Sequence, residues 1–566
     1  MKTSIVIATF NKLNYNQLCI ESIRKYTSHL DYEIIVVDNN STDGTVDWLN
    51  QQEDILAVFN TENFGFPKAC NQGIELATGD HILLLNNDTI VTKDWLDNML
   101  RCLHSDESIG AVGSVTNNCA NYQSISVPYN TVEEMHQFAA EFNISDPEKW
   151  EERIRLIGYN LLIKNSVISQ VGLLDERFTP GNYEDDDYCL RIRLAGYKLM
   201  LCKDTFIHHF GSTSFRENVN GYLKLLNTNK QKFYEKWSID PDGLAEINYN
   251  LVNQIKPIHP SSLRILEIGC GLGANLVEIR NRFPNAELHG EEPDVHKANV
   301  AKFVATINSN EYEKGYFDYI IISDPLEYDL MREVLHYYEL LNSYGGLLIE
   351  VPNIHHFRII DRFLRDDLGR DVARYFSYKD CDQIMNSSNW GQTSIVGVTS
   401  SISDTDKTFI EKLKHVNHHI PEKQYMIEKY LMTFKKYNLS SEIKQIVNQL
   451  IQEQDIETNT KRLLNYDHDV VLDVIVQSST SQTVALLNYL AVLLIDRGHT
   501  KQALPYLNKA FELDEMNSST LFNLGLVMYH LENYDLAIEW LQYIPNKDAT
   551  ILQLIEKLVQ ERELQK

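Results

Sequence analysis

Three short apolar runs near the N-terminus each stop on a polar side chain, and this pattern constrains the chain more than any other. Residues 4–9 (SIVIAT) run into Phe10 and Asn11. Residues 33–38 (EIIVVD) end on a carboxylate, and residues 81–85 (HILLL) are followed by Asn86-Asn87-Asp88. Such runs are too short for helices and suit strands buried on both faces. The stretches between them, at residues 16–26 and 67–77, are amphipathic and predict helices. Alternating strands and helices predict a mostly parallel sheet covered on both faces. Ligands sit at the carboxyl ends of the strands in such sheets, so the polar residues that close each run are the ones to inspect.

A second strand–helix series begins near Leu263, after a linker containing Pro257 and Pro260. It passes through RILEIGCGLG, AELHGEEPD, FDYIIISDP and GGLLIEVPN. From about Asp404 the pattern turns helical and stays so. The expected organisation is multidomain: an α/β domain at 1–240, a linker at 241–261, a second α/β domain at 262–400, a helical region at 404–480 and a repeat region at 481–566. In the last segment Leu487, Leu490, Ala491, Ala503 and Leu507 recur as Leu521, Leu524, Gly525, Ala537 and Leu541, each pair 34 apart (537 − 503). Helices around 443–452 and 473–477 would supply the neighbours that two copies need.

Composition narrows the function classes. The formal charge is −27, from 52 basic and 79 acidic residues. Nucleic-acid binding needs clustered Lys and Arg, and an anionic membrane surface repels such a chain. No apolar stretch approaches the ~20 residues of a membrane span, and the N-terminal run is too short for a signal peptide. The eight cysteines form no C-x-x-C pair, so neither a zinc site nor a disulfide framework is expected, and a reducing, cytoplasmic location is.

Four groups in the first domain fit one chemistry. Asp38 closes a strand, where a carboxylate can accept a uracil or thymine N–H or ribose hydroxyls. Asp88 follows HILLL, where a carboxylate can hold a divalent cation against a diphosphate. Glu184-Asp185-Asp186-Asp187 is an acidic run, and His208-His209 precedes Phe210-Gly211-Ser212. Each alone has a plainer reading as a helix cap, a solvated face or a structural pair. Their order and spacing carry the weight.

The segments SIVIATFN, VVDNNSTDGT, ENFGFPKACNQGI, LLLNNDT, GLLDERFTPGNYEDDDYCLRIRLAGYK and HHFGSTSF together resemble family 2 of the inverting nucleotide-sugar glycosyltransferases, over residues 1 to about 237. The resemblance implies a GT-A fold, a nucleotide-sugar donor (a UDP-sugar favoured) and Mn²⁺ or Mg²⁺. It implies that Thr9, Asn11 and Asp38 line the nucleoside pocket. Asn63, Gly65 and Asn71 would shape the donor loop, joined by Asn87. Asp88 and His209 would hold the metal, with His208 the alternative. Asp185 would be the catalytic base, with Glu184 and Asp187 in the same catalytic group. Only the last carboxylate of the usual D-x-D motif is kept, in Asn86-Asn87-Asp88, and Ala8 replaces the usual Pro.

The turn Glu267-Ile268-Gly269-Cys270-Gly271-Leu272-Gly273 follows a strand and opens a helix. With HGEEPD, FDYIIISDPLEY and LLNSYGGLLIEVPN it resembles class I S-adenosylmethionine-dependent methyltransferases over roughly 262–400. The resemblance implies that Glu267, Gly269, Gly271, Gly273 and Glu292 bind S-adenosylmethionine. Tyr328 stands where His is frequent. Only 25 residues separate Glu292 from Phe317 (317 − 292), which predicts little room for a third strand. The 34-residue period resembles tetratricopeptide repeats, which bind extended peptides or pair copies of a chain into a homodimer. The whole layout is similar to bacterial peptide S-glycosyltransferases of the sublancin type, implying a protein or peptide acceptor. The alternatives are transfer to a surface or spore polysaccharide, a bifunctional glycosyl and methyl transferase, and a non-catalytic scaffold.

Overall fold

The computed structural model describes residues 1–564 apart from 120, 212–218, 243, 245, 257–262, 310–311, 325–329, 366–374, 387–389, 437–438 and 479–481. Ser212, Pro257, Pro260 and Tyr328 therefore lie outside the described residues. The chain forms two compact units. One comprises Met1–Val252 with Ile265–Tyr312 and Ile321–Tyr328, and the other holds Asn253–Arg264, Glu313–Ile320 and Asp329–Lys566.

The N-terminal elements run β1 (Thr3–Thr9), α1 (Leu13–Thr27), β2 (Tyr32–Asp38), α2 (Thr45–Leu49), β3 (Ile55–Phe59), α3 (Phe66–Leu76), β4 (His81–Leu85), β5 (Thr89–Ile90), α4 (Trp95–Leu103) and β6 (Ile109–Val115). They continue with α5 (Val132–Phe142), β7 (Trp150–Arg153), β8 (Asn160–Lys164), α6 (Asn165–Val171), α7 (Glu184–Leu194), β9 (Lys198–Phe206), β10 (His208–His209) and α8 (Val219–Trp237). Eight strands form one sheet in the order β3-β2-β1-β4-β8-β6-β9-β7. β3 to β4 are parallel, β8 runs antiparallel to both β4 and β6, and β9 is parallel to β6. The apolar runs lie at the centre because their two-residue period feeds both faces. Ile5, Ile34 and Leu83 enter one core, while Val6, Ile35 and Leu84 enter the other.

The first unit continues with α9 (Tyr249–Val252), β11 (Arg264–Ile268), α10 (Ala274–Arg282), β12 (Glu287–Glu291), α11 (Val295–Ala301) and β13 (Thr306–Ile307). α10 is tied to β7 by buried charges. Arg153 bonds Glu278 at 2.9 Å, while Glu152 accepts from Arg193 at 3.0 Å and Arg280 at 2.6 Å. The Asn281 side chain also bonds both the N–H and the C=O of Glu152. The third strand, β13, is only two residues long and pairs with His289 and Gly290 of β12, in keeping with the short interval before Phe317.

Beyond these come β14 (Phe317–Ile322), α12 (Leu330–Leu340), β15 (Leu341–Pro352), α13 (Phe357–Leu364), α14 (Tyr378–Met385), β16 (Gln392–Thr399), α15 (Asp404–Val416), α16 (Glu422–Met426) and β17 (Ile427–Lys435). The second sheet has the order β13-β12-β11-β14-β15-β17-β16. The expected boundary at residue 400, with helices from 404, needs correction. β17 pairs antiparallel with both β15 and β16, burying Tyr430, Met432 and Phe434.

The all-helical part starts at α17 (Leu439–Ile451) and continues through α18 (Ile456–Leu464), α19 (His468–Ser478), α20 (Thr483–Ile495), α21 (Thr500–Leu513), α22 (Ser518–His530), α23 (Tyr534–Tyr543) and α24 (Ala549–Leu564). The 34-residue repeat falls on the pairs α20–α21 and α22–α23, and all ten recurring positions but Gly525 are core hydrophobics. A Cβ on Gly525 would lie 2.8 Å from Leu541, so the small residue lets the paired helices approach.

Candidate active site

The carboxyl ends of β1, β2 and β4 meet as the alternation requires. Asp38 is fully buried at the end of β2. Its Oδ2 accepts from the Ser41 N–H at 2.9 Å, while Oδ1 has no hydrogen-bond partner among the described residues. A buried carboxylate oxygen left this way is costly unless a donor arrives. Asn11 shapes the rim: its Oδ1 accepts from the Thr42 N–H and its own N–H donates to Ser41 Oγ. Thr9 Oγ donates to Asn16 Oδ1 at 2.7 Å, and the Asn87 amide donates to both Thr9 and Asn16. Thr9, Asn11, Asp38 and Asn87 thus stand in one neighbourhood.

The donor-loop residues divide. Asn63 Oδ1 accepts from the Gly65 N–H, and position 65 requires glycine twice over: its φ is +83°, and a Cβ there would lie 2.7 Å from Pro180 Cα. Asn71 instead faces the chain around residue 174: its amide donates to the Leu174 carbonyl and to Glu176, and its Oδ1 accepts from the Leu174 N–H. Asn71 therefore braces that segment from inside α3, and its polar atoms are already engaged there.

Asp88 and His209 face each other across the β5–β10 pair, where His209 lies opposite Thr89 and the Phe210 N–H donates to the Asp88 carbonyl. His209 Nε2 is 3.2 Å from Asp88 Oδ1. Nδ1 is 2.8 Å from the Asn118 carbonyl, which can only accept, so in the neutral ring the proton sits on Nδ1 and Nε2 turns a lone pair toward the carboxylate. At this separation the two atoms are joined either by a proton on Nε2, as an imidazolium–carboxylate pair, or by a cation held between them. The separation also suits adjacent ligands of an octahedral ion, which at ~2.1 Å bonds stand about 3 Å apart. Among the described residues no cluster of three or more His, Cys, Asp or Glu adds to this pair. His208 points elsewhere. Its Nδ1 meets the Tyr129 hydroxyl at 2.7 Å, its ring stands edge-on to Phe210, and burial beside His209 pulls its pKa to about 4.

The acidic run opens α7, and helical rotation of about 100° per residue sends its four carboxylates to different surroundings. Asp185 is the half-buried one; its Oδ2 accepts from the Gly158 N–H and its Oδ1 from the Asp186 N–H, both at 3.0 Å. Glu184 is buried, burial and Asp185 hold its carboxyl well above the usual range, and its Oε2 has no hydrogen-bond partner among the described residues. Burial pushes Asp186 up to about 7 against the pull of its ion pair with Arg155. Asp187 corrects the grouping made from the sequence. It is fully buried, accepts from Arg191 Nε and Trp237 Nε1 at 2.9 Å, and pairs with Lys236, so it locks α7 to α8 and presents nothing to a substrate. Asp187→Ala is expected to destabilise the N-terminal unit by about 1–3 kcal/mol, since Arg191, Lys236 and Trp237 would lose a fully buried acceptor. An unchanged calorimetric melting temperature would overturn that role.

Several site residues were not legible in advance. Residues 158–160 join the two halves of the site: the Gly158 N–H holds Asp185, the Tyr159 carbonyl accepts from the Asn86 N–H, and the Tyr159 ring stacks on His209 at 5.1 Å. Arg155, Asn117 and Asn118 also belong to it. All lie in loops or at strand ends without a motif.

In the methyltransferase-like turn, Gly269 is required by packing, because a Cβ would lie 2.4 Å from the Asp324 carbonyl oxygen, while Gly271 faces open space. Glu292 braces the turn, with Oε2 accepting from Gly271 N–H and Oε1 from Asp294 N–H. Gly273, at φ +86°, caps α10. The Glu267 Oε1 accepts from Asn275 and Ser323. Its buried Oε2 has no hydrogen-bond partner among the described residues, and burial pushes its pKa to about 7. An open glycine turn beside a buried acceptor fits a ligand such as S-adenosylmethionine. On the β13 side, Asn308 spends its amide on the backbone of Glu292.

Comparison with known proteins matches residues 4–169 to Glycosyl transferase family 2 and residues 243–392 to a Methyltransferase domain. A poly(ribitol-phosphate) beta-glucosyltransferase of Bacillus spizizenii is 37% identical over 102 residues, 17% of this chain and 16% of that protein. An uncharacterized protein, y4gI, of Sinorhizobium fredii is 26% identical over 228 residues, 37% of this chain and 24% of that protein. A solved mannosyltransferase from Pyrobaculum calidifontis, in complex with GDP-Man and Mn²⁺, is 18% identical, with 41% of this chain and 64% of that one covered and a TM-score of 0.32. The chain spans a quarter or less of the length of these two curated relatives.

Proposed function

On the premise that residues 4–169 form a family 2 glycosyltransferase domain, we propose that the protein is a metal-dependent, inverting glycosyltransferase. It moves a sugar from a nucleotide-sugar donor, with a UDP-sugar favoured, to a protein or peptide acceptor. The observation that carries the reading is the Asp88–His209 pair, two Lewis-basic atoms 3.2 Å apart at the end of β4. When bound there, Mn²⁺ or Mg²⁺ supplies Lewis-acid neutralisation of the departing diphosphate. Asp38 Oδ1 accepts the ring N–H of the nucleobase, with Thr9, Asn11 and Asn87 shaping the pocket. Asn63 and Gly65 set the donor loop. Asp185 takes the proton of the acceptor nucleophile as it attacks the face opposite the leaving group, so configuration inverts. Glu184 stands beside it, its carboxyl held well above the usual range by burial and by Asp185.

The helical repeats, read as tetratricopeptide-like, support a peptide acceptor, because stacked helix pairs build extended binding surfaces. Eight free cysteines support a reducing, cytoplasmic setting; no described helix is long and apolar enough to cross a membrane. The poly(ribitol-phosphate) glucosyltransferase activity of the Bacillus relative favours a second reading, in which a surface polymer is the acceptor. Glu267 and the open Gly271 position favour an added methyl-transfer activity.

One screen tests these readings. Thermal shift of the full chain with sugar nucleotides and Mn²⁺ is expected to select a donor. Transfer from that donor is then measured to peptides and to poly(ribitol phosphate). Absence of any donor-dependent shift would sink the transferase reading, and transfer to the polymer alone would sink the peptide acceptor. In the same screen S-adenosylmethionine is expected to raise the melting temperature, and no saturable shift at millimolar cofactor would reduce the second Rossmann-like domain to architecture.

A further inference from the structure

The residue that fixes the cation-facing histidine lies 92 positions away in sequence (209 − 117). Asn117 follows β6 and grips the backbone of His209 from both sides. Its Oδ1 accepts from the His209 N–H at 2.9 Å, and its Nδ2 donates to the His209 carbonyl at 3.2 Å. The next residue completes the clamp: the Asn118 carbonyl accepts from Nδ1, and the Asn118 amide donates to the Phe210 carbonyl at 3.3 Å. Gly211, at φ +71°, is shaped to this contact, because a Cβ there would lie 2.2 Å from Asn118 Nδ2. β10 is only two residues long and pairs with the equally short β5, so its own ladder holds His209 weakly. The Tyr159 ring fixes the plane of the imidazole but not its position along the strand.

We propose that Asn117 is a positioning residue whose two hydrogen bonds hold His209 Nε2 against Asp88, and that it thereby sets the divalent-cation affinity of the site. This rests on the metal reading above. Groups that orient a ligating histidine change metal affinity by about 10–100-fold when removed. Asn117→Ala is therefore expected to weaken Mn²⁺ binding to the full chain by about 10-fold or more. Asn117→Asp keeps the acceptor for the His209 N–H and loses the donor to its carbonyl, so an intermediate loss is expected.

The test is calorimetric titration with Mn²⁺ alone of the wild type, Asn117→Ala, Asn117→Asp, His209→Ala and the double variant Asn117→Ala/His209→Ala. If Asn117 acts through His209, removing it in the His209→Ala background costs nothing further. Equal losses in both backgrounds would show a general structural role and overturn the proposal. Undiminished Mn²⁺ affinity in Asn117→Ala, with the wild type binding normally, would overturn it while leaving the metal reading intact. Wild-type protein that binds no Mn²⁺ would remove the metal reading and this proposal together.

Discussion

Asp185→Asn is expected to lower turnover by about 10²–10⁴-fold, the usual contribution of a positioned general base, while leaving donor affinity close to that of the wild type. The expectation follows from how α7 opens. Of its four leading carboxylates only Asp185 is partly open, and its two oxygens are oriented by the N–H groups of Gly158 and Asp186. An amide of the same shape keeps one of those contacts and has no basic oxygen. Steady-state kinetics with a saturating acceptor, paired with donor titration, separates the two effects. Turnover within a few-fold of wild type would remove Asp185 from the role of base. A parallel loss of donor affinity would place it in the donor pocket instead.

Loss of either member of the facing pair is expected to be nearly as severe. Asp88→Ala removes a carboxylate oxygen and His209→Ala removes Nε2, so each would take from a divalent cation one of the two ligands proposed among the described residues. Mn²⁺-dependent donor affinity is expected to fall by about 100-fold or more in both, beyond the 10–100-fold typical of groups that only orient a ligand. His208→Ala is expected to leave Mn²⁺-dependent donor affinity within a few-fold, because its Nδ1 faces Tyr129. Calorimetry of donor binding with Mn²⁺ and with EDTA measures this directly. Full donor affinity in EDTA would defeat the metal assignment, and a large loss in His208→Ala would shift it to the other histidine.

These expectations draw unequally on sequence and structure. The runs at 4–9, 33–38 and 81–85 name their own strands, because a five- or six-residue apolar run closed by a polar residue has few other ways to bury itself. Asp38, Asn87 and Asp88 were visible for the same reason: strand ends in such a sheet point one way. The acidic run was visible as a cluster but not as four different groups. What separates its members is the position of Arg155, Arg191, Lys236 and Trp237, contributed by other elements. Asn71 matched a motif, yet Leu174 and Glu176 take up its amide from about a hundred residues away. β17 was hidden because its nine residues follow a helical stretch and find their partner, β15, some eighty residues earlier.

The sequence by itself determined that residues 4–9, 33–38 and 81–85 become strands, that the 34-residue period falls on paired helices, and which kinds of side chain stand at the strand ends. Those properties follow from periodicity and from neighbours in the chain, which are local. Only the tertiary structure decided which histidine faces Asp88, which carboxylate of the tetrad stays open, and that Asn117 holds His209. Each of these depends on groups brought together from distant positions, where burial and a hydrogen bond of about 3 Å decide the role of a side chain, and neither is written in local order.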